Sequence, residues 1–154
     1  MGAADGRPRR GSMDETDIEL RNRTYAHFVD VGRAPVAAEL GDPGVVVAGW
    51  RRLQEAHALV LNPATDELRM LNPFSLVPTA YRIRARDRWW YANCAWDAFG
   101  ICAAFGSNGR IETSCPDCGE LIAVEVRDER PDDASLLFHC VVPAARWWDD
   151  IVFT

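Results

Sequence analysis

The sequence contains no lysine, and all 17 of its basic residues are arginine. So uniform a replacement has no local structural cause and is read first as a matter of genome composition. No apolar run reaches the roughly 18 residues that a membrane-crossing helix needs, and the N-terminal stretch has no apolar signal core. Neither a membrane-spanning protein nor a secreted precursor is therefore expected. Positive charge is also short: 17 basic residues face 23 acidic ones, for a net charge of -6. Most nucleic-acid affinity comes from contacts to phosphate, so this balance argues against a nucleic-acid partner. With 154 residues, 48% of them in the apolar class and 26% charged, the chain suits one ordinary domain or two very small ones.

Met1–Met13 is small, polar and glycine-rich, and is expected to be a disordered tail. From Asp14 apolar residues recur at helical spacing (Ile18, Leu20, Tyr25, Phe28, Val29) until Gly32 ends the helix. A short helix from Pro35 to Leu40 and a third from Val45 to His57 follow, separated by Gly41-Asp-Pro-Gly44. Two β-like runs, Ala58–Leu61 and Glu67–Leu71, flank a turn of Asn62–Asp66 composition. Three helices and a hairpin resemble a winged helix-turn-helix, with Val45–His57 in the place of a recognition helix. That helix offers only Arg51 and Arg52 beside Glu55 and is otherwise apolar, so it is expected to pack on a neighbouring domain and not to read DNA.

The remainder reads as mostly β around one helix. Asn72–Thr79 is a loop, Tyr81–Arg86 alternates as a half-buried strand, and Arg88–Tyr91 returns. Asp97–Phe105 is a buried helix, and Arg110–Thr113, Leu121–Val126 and Ser135–Val142 are strands. The predicted fold is α+β. A winged-helix-like three-helix unit, residues 14–71, packs on a mostly antiparallel β region with a buried helix, residues 72–154.

The five cysteines are odd in number and confined to the C-terminal part: Cys94, Cys102, Cys115, Cys118 and Cys140. With no export signal, this usage suggests thiol or metal chemistry in a reducing cytoplasm over a disulfide framework. Cys115-Pro-Asp-Cys118-Gly119 is a knuckle whose two thiolates could grip one side of a zinc ion, though a structural zinc site needs four ligands and no second such pair exists. Cys94-Ala-Trp-Asp97 places a thiol and a carboxyl three residues apart, on one helix face. In the first turn of a helix, free N–H groups would lower the thiol pKa. Trp89, Trp90, Tyr91 and Trp96 would keep the pair dry, so that Asp97 could hold a proton at neutral pH. Cys102 reads as core, and His27, His57 and His139 as structural. Trp147 and Trp148 read as the cover of a core.

The run Asn72-Pro-Phe-Ser-Leu-Val-Pro-Thr79, then Trp90-Tyr-Ala-Asn-Cys-Ala-Trp-Asp-Ala-Phe-Gly100, resembles the alkylmercury lyase (organomercurial lyase) family. The resemblance continues through Ser114-Cys115, Gly119 and Val141–Phe153, and covers the chain from about Arg21 onward. It implies protonolysis of a carbon–mercury bond, giving a hydrocarbon and Hg(II). Cys94 would be the thiolate that takes mercury and Asp97 the proton donor that also meets the metal. Cys115 matches a family cysteine regarded as structural, and the winged-helix start would serve packing and not DNA. No cofactor is implied. External thiols would remove the bound Hg(II), with a mercuric reductase as a downstream partner.

The family's second catalytic cysteine aligns with Thr154, the last residue, or with the position just beyond. Either the reading is truncated or the site has one thiol, and lysis by this chain is then expected to be slow or absent. Two other readings remain open on the residues. One is a non-lytic mercury- or metal-binding protein using Cys94 with Cys115 or Cys118, and the other a winged-helix regulator with a thiol sensor.

Overall fold

The structure, a computed structural model, describes residues 13–151. The expected disordered tail, Met13 excepted, lies outside the described residues. Two compact units divide between Arg69 and Met70.

The first unit contains three helices and a hairpin: α1 (Glu15–Val31), α2 (Ala37–Leu40), α3 (Pro43–Glu55), β1 (Val60–Leu61) and the start of β2 (Leu68–Leu71). Asp14 caps α1 by accepting from the Asp17 N–H at 2.8 Å, and Gly32 closes it in the left-handed conformation at φ 83°, which costs glycine little. Asp17, Leu20, Thr24 and Phe28 form the buried stripe of α1. That of α3 is Val46, Gly49, Trp50 and Leu53. The two stripes meet. Thr24 Oγ donates to the Leu20 carbonyl at 2.8 Å and accepts from the Trp50 indole N–H at 3.0 Å, so both buried polar groups are satisfied. A Cβ on Gly49 would lie 2.4 Å from Leu20 Cδ2, which shows how closely the helices approach.

The apolar stripe of α3 packs against α1 within its own unit. Its two arginines are committed as well. Arg52 Nε and Nη2 donate to Asp17 Oδ1 at 3.0 and 2.7 Å, and Arg51 Nε donates to Asp66 at 3.2 Å. Neither guanidinium is left without a carboxylate, which fits poorly with phosphate binding. Helix α3 also begins earlier than expected. Asp42-Pro43, read as part of a linker, is the N-cap and first residue of the helix, the positions these two residue types favour.

The second unit is a sheet with one long helix. Its strands run in the order β2-β3-β5-β4-β6-β7-β8, each antiparallel to the next. They are β3 (Phe74–Ser75), β4 (Tyr81–Ala85), β5 (Arg88–Ala92), β6 (Gly109–Ser114), β7 (Leu121–Arg127) and β8 (Arg130–Pro131). The α+β class read from the sequence is thereby observed.

Strand β4 alternates as expected, with Ile83 and Ala85 buried and Arg82 and Arg84 exposed. Ile83 pairs with Trp90 on one side and Ile111 on the other, and Ile111 with Val124, so a buried apolar row crosses four strands. Helix α4 (Ala95–Phe105) contacts β4, β5 and β6 and buries Ala98, Ile101 and Cys102. Phe74, Trp90 and Phe105 pack with ring centroids 5.3 to 5.5 Å apart. At the start of β6 only glycine fits, because a Cβ on Gly109 would lie 2.6 Å from Cys102 Sγ and 3.1 Å from the Arg84 carbonyl oxygen.

Three expectations are corrected. The loop expected over Asn72–Thr79 contains β3, whose two residues join β2 to β5. Helix α4 starts at Ala95, with Cys94 as its N-cap, and not at Asp97. Ser135–Val142 forms no strand. Its apolar run marks the wall of a cavity, and such a run does not by itself distinguish pairing from other burial. A 3-10 turn at Ala144–Asp149 follows.

Candidate active site

Strand β5 ends at Ala92, and two residues later the chain enters α4. This strand-to-helix junction places Asn93, Cys94 and Asp97 together at the helix N-terminus, where they line a cavity of about 440 Å³. Tyr81 from the start of β4 and His139 and Cys140 from the segment before the 3-10 turn line it too. All belong to the second unit.

Cys94 occupies the N-cap with extended backbone, φ -151° and ψ -179°, and makes no side-chain cap hydrogen bond. Asp97 sits in the first turn. The Cys94 thiol and the Asp97 carboxyl lie close enough to act on each other's titration, so the pair proposed from spacing is brought together. Asn93 Nδ2 donates to Asp97 Oδ2 at 3.1 Å and lies 3.3 Å from Asn72 Oδ1. The carboxyl is thus held between a thiol and an amide. Asn93 Oδ1 is buried without a hydrogen-bond partner.

Burial raises the Asp97 pKa above the ordinary aspartate range, against the opposing pull of the Asn93 amide and the Cys94 thiol. The shift is in the direction that a proton-holding carboxyl needs. Cys94 behaves differently from expectation. Burial pushes its thiol above the usual cysteine value; the backbone N–H groups of Asp97 and Trp96 oppose this shift, while the adjacent Asp97 carboxylate adds to it. The helix N-terminus does act in the expected direction, but desolvation outweighs it. Tyr81 is also raised, by burial first and then by the charge of Cys94.

The expected drying agents are only partly correct. Trp90 is buried in the aromatic cluster with Phe74 and Phe105, Trp89 is 40% exposed, and Trp96, although it lines the cavity, is 65% exposed. Phe138, Trp147 and Trp148 supply further cavity wall. The two tryptophans are half-buried there and do not cover a core. Cys102 is buried, as expected. His139, read as structural, faces the cavity.

Cys115 and Cys118 lie elsewhere, in the turn from β6 to β7, and form no part of the cavity lining. Among the described residues no group of three or more metal-ligating side chains exists, so the four-ligand zinc site considered for this pair is not assembled. Thr154, aligned with a second family cysteine, lies outside the described residues.

Sequence reasoning missed Asn93 and Tyr81, read His139 as structural and found no support for a role of Cys140. Asn93 left a signal, since it stands four residues before Asp97 at the spacing of helix-face neighbours. For the others no local pattern existed, because only the folded chain brings them to Cys94.

The family model for alkylmercury lyase matches residues 74–154. Among curated proteins none matches the chain. Among solved structures, the mercury-bound form of MerB2 is similar in fold, with a TM-score of 0.63 at 17% sequence identity. That similarity covers 79% of this chain and 61% of the other, so the chain spans less than two thirds of that protein. The matched segment takes in Cys94, Asp97 and most of the cavity wall and amounts to more than half of the sequence, and on that ground the chain belongs to the alkylmercury lyase family.

Proposed function

We propose that this protein cleaves the carbon–mercury bond of small organomercurials by protonolysis, releasing a hydrocarbon and Hg(II). The observation that carries the reading is the Cys94–Asp97 pair facing one cavity at the start of α4. Mercury is a soft cation that prefers thiolate to water or carboxylate. As the organomercury cation binds Cys94 Sγ, the thiol proton passes to the neighbouring Asp97 carboxylate. A carboxyl with a raised pKa retains that proton.

The carbon–mercury bond then breaks, with its electron pair going to carbon, and Asp97 delivers the proton there. Hydrocarbon leaves, Asp97 is again a carboxylate, and Hg(II) remains on sulfur. Asn93 orients the carboxyl through its 3.1 Å hydrogen bond. Cys140 is the other thiol on the cavity wall, and in this reading it supplies the second sulfur for the metal; buried Cys102 lies outside the lining. External thiols and a mercuric reductase would take the Hg(II) onward. A reducing compartment such as the cytoplasm would suit five free cysteines. Among the described residues no helix is long and apolar enough to cross a membrane.

The test is benzene release from phenylmercuric acetate under excess thiol, comparing the parent with Cys94→Ser and Asp97→Asn. Benzene from the parent that disappears in Cys94→Ser is the expected result. Benzene undiminished by Cys94→Ser would overturn the reading. One mercury bound through Cys94 with no benzene would leave a binding protein that does not lyse.

A further inference from the structure

Cys115 and Cys118 form a second thiol pair, outside the cavity and unused by the mechanism above. They sit in a turn fixed at both ends. The last pair of the β6–β7 ladder is Ser114 with Leu121. Just beyond it the Cys115 N–H donates to the Glu120 carbonyl at 2.8 Å, and the Gly119 N–H to the Cys115 carbonyl at 2.9 Å. Gly119 takes φ +75°, which lets the chain reverse without strain, and Pro116 restricts the backbone between the cysteines. The N–H groups of Cys118 and Asp117 and the Cys118 thiol are the groups that act on the Cys115 thiol. The tight turn therefore keeps the two cysteines close. Together these donors hold the Cys115 thiol below its ordinary pKa, and Cys118 is exposed.

This arrangement fits some cations and not others. Zinc in a structural site takes four ligands, and among the described residues no third ligating side chain joins the pair. A soft cation that is satisfied by two sulfurs needs nothing more than what the turn presents. We propose that Cys115 and Cys118 are a dithiolate site for a two-coordinate soft cation, with Hg(II) as the representative ion, separate from the Cys94 cavity. Binding replaces both thiol protons: one Hg(II) and two thiols give one mercury dithiolate and two protons, with no change of oxidation state. The site rests on its own geometry and does not depend on carbon–mercury cleavage.

The experiment uses the full chain carrying Cys94→Ser and Cys140→Ser, reduced with a phosphine, desalted and loaded with mercuric chloride. Retained metal is counted by native mass spectrometry after equilibration with excess glutathione, and proton release is followed in a weakly buffered solution. Two thiols at one site hold the metal against a monothiol about a hundredfold better than one thiol does. The expected result is one Hg(II) retained per chain, two protons released, and loss of about that factor when either Cys115→Ser or Cys118→Ser is added. Equal retention with and without those two substitutions would overturn the proposal. So would Zn(II) retained as strongly as Hg(II), since that requires further ligands. In a chain with Cys94 and Cys140 intact, Cys118→Ser should leave benzene release unchanged. A failure of lysis is thereby distinguishable from a failure of this site.

Discussion

Helices α3 and α4 begin in opposite ways. At α3, Asp42 accepts from the Val45 N–H at 3.0 Å and Pro43 takes the first helical position, so the start is built from residues that favour it. At α4 the N-cap is Cys94, which makes no cap hydrogen bond, and the acidic residue of the first turn is half-buried beside it. The first arrangement has a structural account that is complete in itself. The second gives up cap stability to place a thiol and a carboxyl of raised pKa side by side. The polar groups next to the two helices show the same contrast. Beside α3, Asp17, Thr24 and Trp50 satisfy one another or nearby groups, whereas at the start of α4 Asn93 Oδ1 is left without a partner at the cavity.

The sharpest way to break this contrast is to remove the carboxyl from α4. Asp97→Asn should lower the rate of benzene release by about 10²- to 10⁴-fold, the usual worth of a positioned general acid, as measured in a single turnover. The folded pKa of Asp97 lies above its unfolded value. The native state therefore loses stability as pH rises through that interval, and Asp97→Asn should remove that loss. Denaturation midpoints above and below the interval would show it.

At α3 the opposite pattern is expected. Asp42→Ala should cost about 0.5–2 kcal/mol in urea-induced unfolding while leaving the rate per folded molecule unchanged. A matching loss of activity would deny that the two helix starts have separate roles.

A smaller effect of reversed sign is expected at Cys94. Serine caps better than cysteine, so Cys94→Ser should gain up to about 1 kcal/mol of stability while abolishing lysis. A destabilised Cys94→Ser would mean that the thiol is packed for stability after all.

The finest distinction concerns pH. Proton delivery fails as pH rises through the Asp97 pKa, and the Asn93 N–H favours the ionised form and so holds that pKa down. Asn93→Ala should therefore move the falling alkaline limb of the single-turnover profile to higher pH. An unmoved limb would show that Asn93 does not govern the carboxyl.

Much of the fold was legible because its causes are local. Gly32 stops α1, Arg82 and Arg84 mark the wet face of β4, and Cys94 and Asp97 lie three apart on one helix face. The misreadings came where one pattern has two physical causes. Leu136–Val142 is apolar like a strand, yet Phe138 and Val142 line a cavity. Asp42-Pro43 has turn composition, yet it starts a helix.

The amino-acid order by itself determined the longer helices, strand β4 and the spacing that pairs a thiol with a carboxyl, since each depends on residues within a turn or two of one another, and it fixed the acidic balance outright. Only the tertiary structure decided the direction in which the pKa values of that pair move. Desolvation is set by every chain segment around a group, and here it raises Cys94 against the pull of its own helix. The same holds for Tyr81, His139 and Cys140, which share a cavity with Cys94 because the sheet and the segment after β8 bring them there, and no spacing in the sequence encodes that distance.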